Sequence, residues 1–154
     1  MQSDINKIRL GWREWIALPD LNLPAIKAKI DTGAKTSALH AFHIERYQKE
    51  SIDMLKFLIH PIQKNAGFQV ECHAVILDRR EVVDSGGHRE MRYVIESLIS
   101  IGDKSWPIEL SLTNRDTMRF RMLLGRRAME YSAIVEPGAS YLNGKLDPKK
   151  LYNL

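Results

Sequence analysis

The residues of this chain best suited to chemistry are Asp31, Thr32 and Gly33, at the end of the run Lys27-Ala28-Lys29-Ile30-Asp31-Thr32-Gly33-Ala34. An aspartate at a strand end is held by a rigid element while its carboxylate faces a cleft. The Thr32 hydroxyl can hydrogen-bond backbone and lock the loop. Gly33 permits a close backbone approach or a positive φ. One carboxylate cannot both take a proton from water and give one to a substrate. Two carboxylates sharing a proton can, because like charges ~3 Å apart push their pKa values apart. The chain holds one Asp-Thr-Gly and no Asp-Ser-Gly. The second carboxylate would then come from a second copy, with a two-fold axis setting Asp31 against its mate. The competing reading of the tripeptide is a simple turn.

Two further features give the tripeptide a context. Met122-Leu123-Leu124-Gly125-Arg126 places aliphatic residues before Gly-Arg. Such an apolar strand can lie under the loop, its glycine letting the chain pass close. Between the two, Val82 to Ile95 reads as a hairpin with Gly86-Gly87 at its tip. A flexible hairpin of this kind could close over a substrate and exclude water. His88 and Arg89 would then face the substrate or form an exposed turn. The order of loop, flap and hydrophobic-Gly-Arg resembles that of the single-domain acid proteases of retroviruses. By that resemblance Ala34 and Lys35 line a substrate subsite together with Gly86, Gly87, His88 and Arg126.

The elements that must position these residues read mostly as strands. Trp12 to Leu18 is apolar and ends at Pro19, and Ile26, Ala28 and Ile30 alternate with polar partners. Leu55, Phe57 and Ile59 form another alternating face, as do Phe68, Val70, Cys72 and Ala74, and Trp106, Ile108, Leu110 and Leu112. Turn signals at Asn65-Ala66-Gly67, Ser85-Gly86-Gly87 and Ile101-Gly102-Asp103 separate them. The pattern predicts an all-β sheet, sandwich or barrel. One short helix is expected over Arg126 to Tyr131, and a helical turn over Thr36 to His40. Residues 143 to 154 are expected to be a polar surface tail.

Composition bounds the remaining choices. The chain has 154 residues and a formal charge of +4, about one domain at roughly 150 residues each. No apolar run is long enough to span a bilayer. Asp4, Lys7 and Arg9 fall where a signal peptide would be apolar, so a cytoplasmic location is expected. Cys72 is the single cysteine, which excludes an internal disulfide and a thiolate metal cluster. It falls on the apolar face of its strand and is expected to be buried and inert. Trp12, Trp15 and Trp106 are expected in the core or at an interface.

At a larger scale, Gly11-Trp12-Arg13-Glu14, Lys27 to Ala41, Leu112 to Arg126, Val135-Glu136-Pro137 and Ser140-Tyr141-Leu142 resemble the bacterial family known as ATP-dependent zinc proteases. The resemblance spans roughly residues 10 to 144, leaving 1–9 as an N-terminal extension and 145–154 as the tail. It implies a single-domain retropepsin-like acid-protease barrel and a peptidase with Asp31 as its catalytic residue. Some members are associated with ATP-grasp ligases that add glutamates to a ribosomal protein, and are implicated in trimming such tails. The chain's own residues argue against both qualifiers of the family's name. No His-Glu-x-x-His is present, although His40 and His43 stand three apart. No Gly-x-x-x-x-Gly-Lys-Ser/Thr run could cradle phosphates. No cofactor is expected.

Basic residues gather around the proposed site. Lys27 and Lys29 share a strand face with Asp31, Lys35 follows it, and Arg115, Arg119, Arg121, Arg126 and Arg127 fall within thirteen residues. Arginine forks bind carboxylates bidentately, so an acidic peptide or protein is the expected substrate; a solvated basic face is the alternative. The same cations would lower the pKa of an Asp31 pair. Three functions compete: a homodimeric aspartic peptidase, a binding or adaptor domain with no working dyad, and a basic RNA-associated module. No aromatic RNA-binding platform supports the third, and no membrane partner is expected.

Overall fold

The computed structural model describes residues 6–84, 86–114 and 119–154. Ser85 of the hairpin tip and Arg115 of the basic cluster lie outside the described residues. Among the described residues twelve strands are formed: β1 (Ile8–Leu10), β2 (Arg13–Leu18), β3 (Leu23–Ile30), β4 (Ser37–His40), β5 (Phe42–Lys49), β6 (Ile52–Ile59), β7 (Val70–Val75), β8 (Asp78–Val83), β9 (Arg89–Ile101), β10 (Lys104–Thr113), β11 (Met122–Leu124) and β12 (Ala133–Val135). The same residues form two short α-helices, α1 (Arg126–Met129) and α2 (Pro148–Leu151), and a 3-10 turn at Pro19–Leu21. No helix among the described residues is long and apolar enough to cross a membrane.

Alternation in β2 and β3 drives their inner residues Ile16, Leu18, Ile26 and Ala28 to zero exposure, where they pair antiparallel. The main sheet runs β10-β4-β11-β3-β2-β9-β8, and β10 also pairs with β9. That last pairing closes six strands into a ring, with β8 attached outside it. The fold class is therefore all-β, and the closed ring leaves few bare edges. A second sheet of β5, β6 and β7 packs its apolar side inward through Leu55, Phe57, Ile59 and Cys72. Each of the three large side chains from β6 gains on the order of 1.5–3 kcal/mol by leaving water.

The ends of the chain are stitched together. Glu14 is fully buried, and its carboxylate accepts hydrogen bonds from the N–H groups of Gly11, Leu142 and Asn143. Arg13 lies over the rings of Trp12 and Tyr141 and donates to the Ser140 hydroxyl. The motifs Gly11-Trp12-Arg13-Glu14 and Ser140-Tyr141-Leu142, distant in sequence, thus form one contact. Parallel pairing of β1 with β12 extends it.

Two sequence expectations change here, and one strand has no counterpart among them. Thr36 to His40 is not a helical turn: Ser37–His40 is a strand, buried at all four positions. It pairs with β10 on one side and β11 on the other, and two-sided burial erases the alternation that marks a strand. β5 was not anticipated, because its polar, mostly exposed side chains carry little periodic signal. The tail is not merely a surface segment. After α2, the Tyr152 hydroxyl donates to the Ala25 carbonyl at 2.7 Å and its ring meets Phe68 edge-on.

Candidate active site

β3 delivers Asp31, and β11 holds it from below. β11 runs parallel to β3, with Leu124 opposite Ile30, and antiparallel to β4. The strand entering the Asp-Thr-Gly loop and the strand leaving it therefore flank the hydrophobic strand that supports both. The Asp31 N–H donates to the Leu124 carbonyl at 2.9 Å. Gly125 then passes so close to the loop that a Cβ there would lie 2.7 Å from the Thr36 carbonyl carbon and 2.9 Å from the Ser37 nitrogen. Its N–H donates to the Ser37 hydroxyl. Its backbone is ordinary and extended, so space, not conformation, demands glycine.

The loop is locked by α1. The N–H groups of Arg126 and Arg127, free at a helix start, donate to the carbonyls of Ala34 and Lys35 at 2.7 and 3.2 Å. The Arg126 guanidinium donates to the Thr32 carbonyl at 3.1 Å. The described bond at Thr32 is thus through its carbonyl, supplied by Arg126, and not through the hydroxyl expected to lock the loop. Gly33 takes no positive φ; it is needed for close approach. Its N–H donates to Asp31 Oδ1 at 3.0 Å, and a Cβ would stand 3.2 Å from the same oxygen.

Asp31 opens on a cavity of about 950 Å³. Gly33, Ala34, Lys35 and Arg126 also line it. The hairpin of β8 and β9 supplies another wall through residues 80 to 84 and Arg92. Its tip does not. Gly86, Gly87 and His88 are exposed and absent from the lining. The tip is ordered by Asp84, whose Oδ1 accepts the N–H groups of Gly86 and His88 at 2.9 Å.

Of the basic cluster, Arg126 and Arg127 line the cavity, whereas Arg119, Arg121, Lys27 and Lys29 do not. Lys27 instead lies over the Trp15 ring. Arg80, Arg92 and Trp106 line the cavity without having been singled out for it. Trp106 also donates to the Ala128 carbonyl at 2.8 Å and so ties α1 to the barrel. Parity along β9 would have pointed Arg92 inward with Val94, but polar residues on both faces of that stretch hide the signal.

Among the described residues, four carboxylates line the cavity: Asp31, Glu81, Asp84 and Glu109. Glu81 is bound by Arg89, Glu109 by Arg80, and Asp84 by the hairpin tip. Among the described residues, Asp31 has no cation partner, and its described hydrogen bond engages Oδ1 alone. That leaves Oδ2 for water or for a second carboxyl group. His40 and His43 occupy different strands, one buried and one exposed. Among the described residues no group of three His, Cys, Asp or Glu could hold a metal ion.

The chain is similar to proteins named "Probable alpha-L-glutamate ligase". That of Shewanella pealeana is 43% identical over 97% of this chain, and that of Parasynechococcus marenigrum is 45% identical over 94%. The chain spans only about a third of their length, 33% and 31% respectively. It is also similar to the crystal structure of a protein of unknown function (DUF785) from Legionella pneumophila. There the TM-score is 0.71 at 28% identity, covering 88% of this chain and 97% of that one. A family model described as "RimB-like: Retropepsin-like aspartic endopeptidase RimB" matches residues 9–146. Consistent with the loop, its supporting strand and the hairpin wall, the chain belongs to the RimB-like family of retropepsin-like aspartic endopeptidases.

Proposed function

We propose that this chain is an aspartic-type peptidase that acts as a pair of copies, each contributing Asp31. The carrying observation is the setting of Asp31: it faces the cavity, is fixed by Gly33 and Leu124, and has no cation partner among the described residues. One ionised Asp31 takes a proton from water as the water attacks the scissile carbonyl. The protonated mate polarises that carbonyl and later helps the amine leave. No metal enters this reading. Lys35, Arg126 and Arg127 around the cavity favour a peptide or protein substrate with acidic side chains.

The test is cleavage of an acidic peptide by the unaltered chain and by Asp31→Ala, with and without a chelator. Loss in Asp31→Ala with indifference to chelator is expected. Full activity in the variant would overturn the reading, and loss with chelator alone would point to a metal. Cross-linking through residues near Asp31 tests the pairing.

The glutamate-ligase name borne by relatives three times longer favours one alternative. The chain would then be a peptide-binding module that presents an acidic chain to a separate ligase. In that case Asp31→Ala would leave both binding and the partner activity unchanged.

A further inference from the structure

Arg80 on β8 and Arg92 on β9 are directly opposed cross-strand partners, and both line the cavity. Like charges at opposed positions destabilise a sheet. Arg92 adds a second cost, because it is only 6% exposed and a buried charge needs compensation. Arg80 is compensated twice, by Asp78 at 2.9 Å and Glu109 at 3.0 Å. Arg92 has a single anionic partner, Glu90. Its Nε donates to Glu90 at 2.9 Å and its Nη1 to the Ser111 hydroxyl at 3.3 Å. Glu90 in turn accepts from the Thr113 hydroxyl at 3.1 Å, so that single carboxylate is shared. Of the five N–H donors of a guanidinium, the described bonds use two. The others belong to a buried cation at the wall of a cavity that also holds Asp31.

The guanidinium is also rigidly mounted. The Ser111 hydroxyl donates to the Ser37 carbonyl at 3.0 Å, and the Ser37 hydroxyl accepts from the Gly125 N–H. A polar chain thus links the base of the hairpin to the strand end under the Asp31 loop. A fixed, desolvated fork with unused donors is the arrangement that binds a carboxylate strongly and in one orientation.

We propose that Arg92 is the specificity-determining residue of this cavity, and that it binds one carboxylate of a peptide lying beneath the hairpin. The proposal rests on the peptide-binding part of the function above. The carboxylate comes either from an acidic side chain or from the peptide's C-terminus, and the test separates the two.

The probes are short alanine–serine peptides carrying one glutamate at successive positions, their glutamine counterparts, and each with a free or amidated C-terminus. Binding is measured on the full chain carrying Asp31→Asn, and cleavage on the chain with Asp31 intact. The expected result is a preference of about tenfold for glutamate over glutamine at one position, or for the free acid over the amide. Arg92→Gln should bring that ratio close to one, and Arg92→Lys should reduce it, since ammonium lacks the fork. Lys35→Gln should weaken all acidic peptides alike. A preference kept by Arg92→Gln at unchanged Tm, or by Arg92→Lys if the glutamine variant does not fold, overturns the proposal. No preference in binding to the Asp31→Asn chain also overturns it. Discriminating binding without cleavage by the unaltered chain leaves Arg92 in place and removes the peptidase reading instead.

Discussion

Lys35 and Arg127 on one side of the cavity, and Arg80 and Arg92 on the other, carry the same charge in opposite surroundings. The first two are exposed and have no ion-pair partner among the described residues. They stand on the loop and helix next to Asp31. The second two face each other across a hairpin, one half-buried and one buried, and hold carboxylates and hydroxyls already. An exposed cation acts at a distance, is screened by salt within about 8 Å at physiological ionic strength, and mainly raises encounter rates. A buried fork acts only on contact, but its effect is large and oriented. The two sides should therefore govern different stages of one event: arrival of an acidic chain on the loop side, and its register beneath the hairpin.

The largest expected effect breaks the comparison outright. Asp31→Asn should abolish peptide cleavage while leaving both cation groups and peptide affinity intact; a product assay beside a binding titration checks this. If cleavage survives, the contrast between the two sides has no catalytic meaning.

Next in size is Gly125→Ala. The new methyl meets the backbone of Thr36 and Ser37, so the loop side would shift against the hairpin side. Overpacking of this sort costs about 1–3 kcal/mol. A lowered Tm should come with lost cleavage. Retention of full activity at an unchanged Tm would show that the approach of β11 to the loop is not needed.

Charge removal on the loop side sharpens the comparison. Lys35→Gln combined with Arg127→Gln should slow association of an acidic peptide by about three- to tenfold at low salt. The difference from the unaltered chain should vanish at high salt, as stopped-flow measurements would show. A salt-independent loss would instead mean that these groups contact the ligand directly, like the buried side.

The smallest effect serves as a control remote from both groups. Burial pushes the Cys72 thiol from 9.0 up to about 12, and burial likewise pushes the Tyr152 hydroxyl from 10.0 up to about 12. The folded chain keeps protons that the unfolded chain releases. The resulting stability is complete below pH 9.0 and is lost as pH rises toward 12. Tm should fall over that alkaline range in the unaltered chain and equally in every cation variant. Tyr152→Phe should flatten the fall. An unequal fall among the cation variants would mean that the two sides differ in stability, and not only in what they bind.

Much of the site was legible because its determinants are local. Asp31, Thr32 and Gly33 follow an alternating strand, and Met122 to Arg126 announces a short apolar strand ending in glycine. Both readings survive in β3 and β11. The hairpin was legible from its Gly-Gly tip, yet the wall it offers is β8 and Arg92 rather than the tip. A turn signal marks where a chain reverses. It does not say which part of the hairpin approaches another loop. β4 was hidden for a related reason: a strand buried on both sides shows no period, and its partners β10 and β11 are more than seventy residues away in the chain.

By itself, then, the sequence determined what short-range sterics and periodicity can determine. The Asp31 loop needs a glycine beside its carboxylate, the chain is built from strands, and cations cluster on both sides of the hydrophobic-Gly-Arg motif. Tertiary structure decided which of those cations reach the cavity, and added two that no cluster announced. Arg80 and Arg92 became neighbours through the register of β8 on β9. Arg92 became buried because β10 brought Ser111 beside it. Pairing register and burial are set by contacts between distant segments, and one residue's shift would turn Arg92 to the opposite face of its strand.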